Sequence, residues 1–128
     1  MKNRIVIPSS IEKISTVYNW LELSLKDRVN TTQLHNILLV LQEITTNSVL
    51  HGNRLSPEKV VTIDIEINPK NIIFEITDEG DGIKELPSKK EAKELDYLAE
   101  NGRGLKLAVL MSDKIEVHGS TTKILFNR

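Results

Sequence analysis

Residues 42–53 read QEITTNSVLHGN, and the reading of this stretch decides the fold. Glu43, Asn47 and His51 recur at every fourth position, the interval that stacks side chains on one helix face. The helix that carries them opens upstream at Asn30, with Gln33 three residues later in a capping-box-like start. It is expected to run to His51, with Gly52 and Asn53 as its stop. At about 100° per residue, Leu34, Ile37, Leu38, Leu41, Ile44, Thr45 and Ser48 form one broad side for packing. His35, Gln42 and Thr46 share a narrow wet side. Glu43, Asn47 and His51 fall in a third sector, bordered by Leu39 and Leu50 on one flank and by Val40 and Ile44 on the other. A polar stripe between apolar borders suggests the wall of a cleft. Two readings are open: an i,i+4 hydrogen-bonded pair on a helix surface, or a half-buried carboxylate acting as general base beside an amide oxygen that holds a hard cation.

Outward from this helix the pattern changes period. Upstream, RIVIP (4–8) reads as a short strand stopped by Pro8. A surface helix follows, with Ser9 or Ser10 as its N-cap and Ile11, Ile14, Val17, Tyr18, Leu21 and Leu25 on one face. Downstream, VVTIDIEIN and NIIFEITD alternate. Val61, Ile63, Ile65, Ile67, Ile72, Phe74 and Ile76 point one way, and Thr62, Asp64, Glu66 and Glu75 the other, as in an antiparallel hairpin with one wet face. Residues 78–103 are polar and include the charge run KKEAKE, which suits a solvated loop or short helix. RGLKLAVLMSD reads as a third helix, and KIEVHG and TKILFN as two closing strands. The order β-α-α-β-β-loop-α-β-β predicts an α+β fold, a two-layer sandwich with a mostly antiparallel sheet and helices on one face.

Composition narrows the function. The 128 residues are expected to form a single domain, residues 1–128, with room for a real core. Hydrophobic residues make up 39% and aromatics 4%, so the interior is aliphatic. A net charge of −1 supplies no long-range field for nucleic acid or an anionic membrane, so neither is an expected partner. The chain has no cysteine, hence no thiolate nucleophile or thiolate metal site. MKNRIVIPSS has too short an apolar run for a signal peptide, and no segment approaches the roughly 20 apolar residues of a membrane span. A cytoplasmic protein is the expectation.

Two further motifs face the stripe. DEGDGI, Asp78 to Ile83, follows a strand directly. Its glycines allow a tight turn and close approach of a flat ligand, and a carboxylate at the strand end can accept from an exocyclic amine such as that of adenine. It lacks the remaining oxygen ligands of a calcium loop. NGRGLKLAVLMSD, Asn101 to Asp113, sets Gly102, Arg103 and Gly104 where a loop becomes a helix, so free N–H groups, the helix dipole and a guanidinium converge in a way that suits phosphate. It is neither a Walker A loop nor a Rossmann fingerprint.

The order of E-x-x-x-N-x-x-x-H, D-x-G-x-G and G-x-G-L resembles the Bergerat-fold, histidine-kinase-like ATPases, over nearly the whole chain. Within that superfamily, QEITTNSVLHGN, DEGDGI and GRGLKLAVLMSDKIEV look like the anti-sigma factor serine/threonine-protein kinases of bacterial partner-switching systems. The resemblance implies ATP and Mg²⁺ as cofactors. It implies Glu43 as the base that receives a substrate hydroxyl proton and Asn47 as the Mg²⁺ ligand. Asp78 would bind the adenine amine, with Gly80, Gly82 and Ile83 shaping the pocket. Gly102, Arg103, Gly104 and Leu105 would form the phosphate side of the lid, Arg103 stabilising the transferring phosphoryl. A threonine on the last strand, Thr121 or with preference Thr122, would lie near adenine, and His51 would shape the cleft edge. The implied partners are a small anti-sigma factor antagonist with a serine or threonine acceptor and, as a second target, a sigma factor. Dimerisation through the sheet edge or first helix is compatible with the family. Ser48 replaces the usual alanine after the asparagine, residues 84–100 match no fixed pattern, and the final STTKILFNR lacks the usual glycine-threonine pair.

Two rivals remain. A histidine kinase would need dimerising helices with a phosphoacceptor histidine before an acid, but His35 precedes Asn36, His51 precedes Gly52, and His118 lies in a strand. A non-catalytic ATP-sensing module would use nucleotide only to order the lid.

Overall fold

The computed structural model describes residues 1–80, 88–93 and 103–128, with only the backbone at Glu91, Lys93 and Arg103. Strand β1 (Lys2–Pro8) leads through a 3-10 turn (Ile11–Lys13) into α1 (Ile14–Leu25) and α2 (Thr31–Asn47). A π turn (Ser48–Gly52) connects to the hairpin β2 (Val60–Ile67) and β3 (Asn71–Thr77). Then come α3 (Lys89–Lys93), α4 (Arg103–Met111) and the hairpin β4 (Lys114–His118) and β5 (Thr121–Asn127). The five strands form one antiparallel sheet in the order β1-β2-β3-β5-β4. The α+β sandwich expected from the sequence is therefore the fold observed.

Strict period-2 alternation produces this result. Across the sheet, Ile5 pairs with Ile63, Ile65 with Phe74, Phe74 with Ile124, and Ile124 with Ile115, all turned to one face. Against them pack Val17, Leu21 and Leu25 of α1 and Ile37, Leu38, Leu41 and Ile44 of α2. Burial of each such side chain contributes about 1.5–3 kcal/mol. Phe74 and Phe126 meet edge to face, with centroids 6.0 Å apart. The opposite face carries charge. Arg4 meets Asp64 at 2.6 Å, and Lys114 meets Glu116 at 2.8 Å. Hydrogen bonds from Lys114 and then His118 hold the Glu116 carboxyl well below its usual range, at about 2. Such exposed pairs add little stability, but charge on the edge strands β1 and β4 discourages further strand addition.

Turn chemistry fixes the connections. The Asn68 side chain accepts from the N–H of Lys70 and of Asn71, both at 2.9 Å, closing the β2–β3 hairpin. Gly119, at φ 61°, supplies the left-handed residue of the β4–β5 turn. Asn30 caps α2 as expected, its side chain accepting from the Gln33 N–H at 2.8 Å. Asn30→Ala should cost about 1 kcal/mol. Urea unfolding would measure it, and an unchanged midpoint would contradict the capping role.

Three boundaries differ from expectation. Neither serine caps α1 with its side chain: Ser10 precedes the 3-10 turn without a side-chain bond, and the Ser9 hydroxyl donates instead to the Lys59 carbonyl at 2.7 Å. Helix α2 stops at Asn47, four residues early, because the next turn widens to π spacing. The chain end there is also not a glycine cap. Asn53 is right-handed, at φ −89°, while Arg54 and Leu55 take positive φ. The charge run does include a short helix, α3, in which Ala92 is buried.

Candidate functional site

The residues expected to form the site meet where α2 ends, β3 ends and α4 begins. Of the side expected to pack, Ile37, Leu38, Leu41, Ile44 and Thr45 on α2 and Ser48 in the π turn are buried, while Leu34 is half-buried. Thr45 lies there with its hydroxyl unpartnered among the described residues. Glu43 and Asn47 are half-buried on the neighbouring sector, and no hydrogen bond joins them, so the i,i+4 surface pair is not formed. Instead Glu43 faces α4. A Cβ placed on Gly104 would come within 2.5 Å of the Glu43 carboxyl carbon and overlap its oxygen. Glycine is needed there because the carboxylate occupies the space a side chain would fill. The first turn of α4, the positive end of its dipole, thus lies directly against Glu43.

The second wall is the turn after β3. Asp78 is 8% exposed, its N–H donating to the Ser120 carbonyl at 3.1 Å and its Oδ1 accepting from the Gly80 N–H at 2.8 Å. The Ser120 hydroxyl donates in turn to the Gly80 carbonyl, tying the turn to the β4–β5 hairpin. Gly52 lies against Asp78: an added Cβ would meet the carboxyl carbon at 2.6 Å. Gly80 lies against Gly52 in the same way, its added Cβ falling 2.6 Å from the Gly52 carbonyl carbon. These two glycines serve close approach, and neither takes a positive φ.

The structure sets Glu43 against Gly104 and Asp78 against Gly52 and Gly80, packs Leu105 on the core, and leaves Asn47 half-buried one turn beyond Glu43 at the end of α2. Thr122 is buried on the helix-facing side of the sheet, opposite Ile76, whereas Thr121 is on the other face, its hydroxyl 2.9 Å from that of Thr77. His51 sits exposed in the π turn. Gly82, Ile83, Gly102 and the Arg103 side chain lie outside the described residues.

Asn53, read from the sequence only as part of a helix stop, Ser9, read only as a candidate N-cap, and Glu79 and Ser120, which nothing in the sequence singles out, hold these segments together through their side chains. The available signal was an asparagine and a serine beside glycine-bearing turns, which reads equally well as ordinary loop composition.

Asn47 presents a neutral hard oxygen and makes no side-chain hydrogen bond among the described residues. No cluster of three or more His, Cys, Asp or Glu able to hold a metal occurs among them either. This donor set fits Mg²⁺ held by one protein oxygen together with phosphate oxygens and water, and does not fit an all-protein cage.

The chain is similar to known proteins in sequence and in fold. The chain is 32% identical over 96 residues to an anti-sigma F factor of Oceanobacillus iheyensis, spanning 71% of this chain and 64% of that one. It is 32% identical over 59 residues to an anti-sigma F factor of Clostridium botulinum, spanning 46% of this chain and 41% of that one. The chain thus spans less than two thirds of the length of these curated relatives. The solved RsbU and RsbW domains of a Mycobacterium tuberculosis protein superpose with a TM-score of 0.69 at 14% identity, covering 100% of this chain and 32% of that one, which is a likeness of fold. The histidine kinase-like ATPase domain family matches residues 7–126, nearly the entire sheet and helix layer described above, and the chain belongs to that family.

Proposed function

We propose that the chain is an ATP-dependent serine/threonine protein kinase of a bacterial partner-switching system. It phosphorylates a small anti-sigma factor antagonist and sequesters a sigma factor or comparable target. The observation that carries this reading is the apposition of Glu43 and Gly104: a carboxylate placed against the amino end of α4 stands beside the point where a terminal phosphate would be held. Asp78 accepts the adenine amine, Gly80, Gly82 and Ile83 shape the pocket beneath the ring, Gly52 lets the turn after β3 pack close against the end of the π turn, and Thr122 lines the far side on β5. Asn47 holds Mg²⁺, which neutralises phosphate charge when bound. Glu43 orients the acceptor hydroxyl and takes its proton as the oxygen attacks the γ-phosphorus and ADP leaves. Gly102, Arg103, Gly104 and Leu105 form the phosphate side of the lid in this reading, and His51 marks the cleft edge.

The partner roles rest on the anti-sigma F factors this chain resembles. No helix among the described residues is long and apolar enough to cross a membrane; a cytoplasmic location belongs to the proposed reading. Dimerisation through the sheet edge or α1 belongs to the same reading.

Incubation with Mg-ATP and a small antagonist domain encoded nearby tests the proposal. A phosphoserine or phosphothreonine on the antagonist is the expected product. ATP-dependent complex formation without phosphate transfer would assign the chain instead to a nucleotide-sensing binding module. The Asn47 role has its own signature. Asn47→Ala should weaken ATP binding about tenfold in the presence of Mg²⁺ and less than about twofold in its absence. An equal loss in both conditions, measured calorimetrically, would remove Asn47 from the metal site.

A further inference from the structure

In the sequence Asn53 is only part of a helix stop, yet in the fold it is 1% exposed and uses every hydrogen-bonding group of its side chain. Its amide nitrogen donates to the Ser9 hydroxyl at 2.7 Å and to the Val60 carbonyl at 2.9 Å. Its Oδ1 accepts from the Glu79 N–H at 2.7 Å. Glu79 closes a ring: its carboxylate accepts from the Val60 N–H at 2.6 Å. Three segments, the end of β1, the start of β2 and the turn after β3, are therefore joined through one buried amide.

Two more observations give this ring a direction. First, Asn53 and Glu79 lie one residue beyond Gly52 and Asp78, the pair whose close approach leaves no room for a Cβ. Any shift of the 53–79 link moves the Asp78 carboxylate relative to the cleft. Second, Arg54 and Leu55 follow at φ 52° and 58°, two consecutive non-glycine residues in the left-handed region. Each is a strained conformation for a side chain with a Cβ and persists only where the surroundings over-determine it. Bonds from the Asn53 N–H to the Ser48 carbonyl (2.8 Å) and from the Leu55 N–H to the Val49 carbonyl (2.9 Å) pin that backbone in place.

We infer that Asn53, closed into a ring with Glu79 and Val60, is a positioning residue for nucleotide selection, fixing the Asp78 carboxylate in register with the exocyclic amine of a 6-aminopurine. The inference rests on the assignment of Asp78 to the adenine amine. A donor lost from a correctly aimed carboxylate costs affinity, whereas a carboxylate free to swing can find water and discriminates poorly.

The test compares ATP with purine riboside 5′-triphosphate, which lacks only the amine, by calorimetry on the intact chain with Mg²⁺. The wild type should prefer ATP by about tenfold or more, the scale of a hydrogen bond to a charged group. Asn53→Ala and Glu79→Ala should reduce that preference to less than about threefold, while affinity for the amine-free nucleotide changes by less than about threefold. Glu79→Gln, which can still accept from Val60, should keep the wild-type preference. A merely structural role would lower both affinities together and leave their ratio intact, and that result overturns the inference. Glu79 is exposed, so Glu79→Ala decides the matter even if Asn53→Ala does not fold. Asp78→Ala, which removes the acceptor altogether, separates the adenine assignment from the positioning role. If it leaves the ATP preference untouched, the adenine assignment fails and the inference falls with it; if it abolishes the preference while the ring variants keep it, only the positioning role fails.

Discussion

Glu43→Ala should lower phosphoryl transfer about 10²- to 10⁴-fold, the usual contribution of a positioned general base, while ATP affinity stays within about threefold of wild type. The asymmetry follows from where the carboxylate lies. Glu43 is on α2, against the backbone of Gly104, whereas Asp78 packs against Gly52 and Gly80. Under the proposed function, removing Glu43 takes away the proton acceptor without touching the residues assigned to adenine. It also frees the space beside Gly104, so ground-state binding has no reason to weaken; loss of a negative charge near the phosphates could even strengthen it. Single-turnover transfer from labelled ATP to the antagonist measures the first quantity and calorimetry the second. A variant that transfers phosphate at the wild-type rate would remove Glu43 from the chemistry. One that loses ATP binding and transfer in parallel would recast it as a binding residue.

Gly80→Ala should nearly abolish nucleotide binding, by about 100-fold or more, and destabilise the fold by about 1–3 kcal/mol. The added methyl would lie 2.6 Å from the carbonyl carbon and 2.9 Å from the Cα of Gly52. Those are backbone atoms, pinned within the π turn, so no rotamer change relieves the overlap. Either the turn after β3 or the π turn must move. Either movement displaces the Asp78 carboxylate, whose Oδ1 is bonded to the Gly80 N–H. By contrast, Gly119 has nothing within 4 Å of an added Cβ, and its substitution would strain a surface turn without touching the cleft. Comparing the two glycine variants by thermal melting with and without Mg-ATP isolates the effect. A Gly80→Ala protein with an undiminished ATP-induced shift in Tm would show that the close packing of Gly52 and Gly80 is not needed for binding.

How much of this could be read from the chain follows the reach of each signal. Period-2 alternation from Val61 to Ile76 and 3.6-residue spacing from Leu34 to Ser48 are local, and both face assignments hold in the fold. Asn30 and Gln33 announce the α2 start equally locally. The π turn gave no such sign, because a widened turn depends on what its side chains and backbone must meet across the cleft. Gly52 looked like a helix terminator of the left-handed kind. Its actual constraint is the Asp78 carboxylate 26 residues later, a distance in sequence that no local pattern spans. Asn53 was hidden for the same reason: its partners at residues 9, 60 and 79 converge only once the sheet has formed. Likewise the choice between Thr121 and Thr122 needed the register of β5 on β3, which turns Thr122 toward the helices and Thr121 away.

The central claim is a single nucleotide cleft bounded by the end of α2, the turn after β3 and the start of α4. Amide chemical shifts of the three glycines that line it provide the most direct test, since glycine N–H signals occupy their own region of a nitrogen–proton spectrum. On addition of Mg-ATP, the signals of Gly52, Gly80 and Gly104 should all shift, with those of Arg4, Thr62 and Thr121 on the open face of the sheet unchanged. Shifts confined to the open face, or glycine signals that stay in place at saturating Mg-ATP, would contradict it.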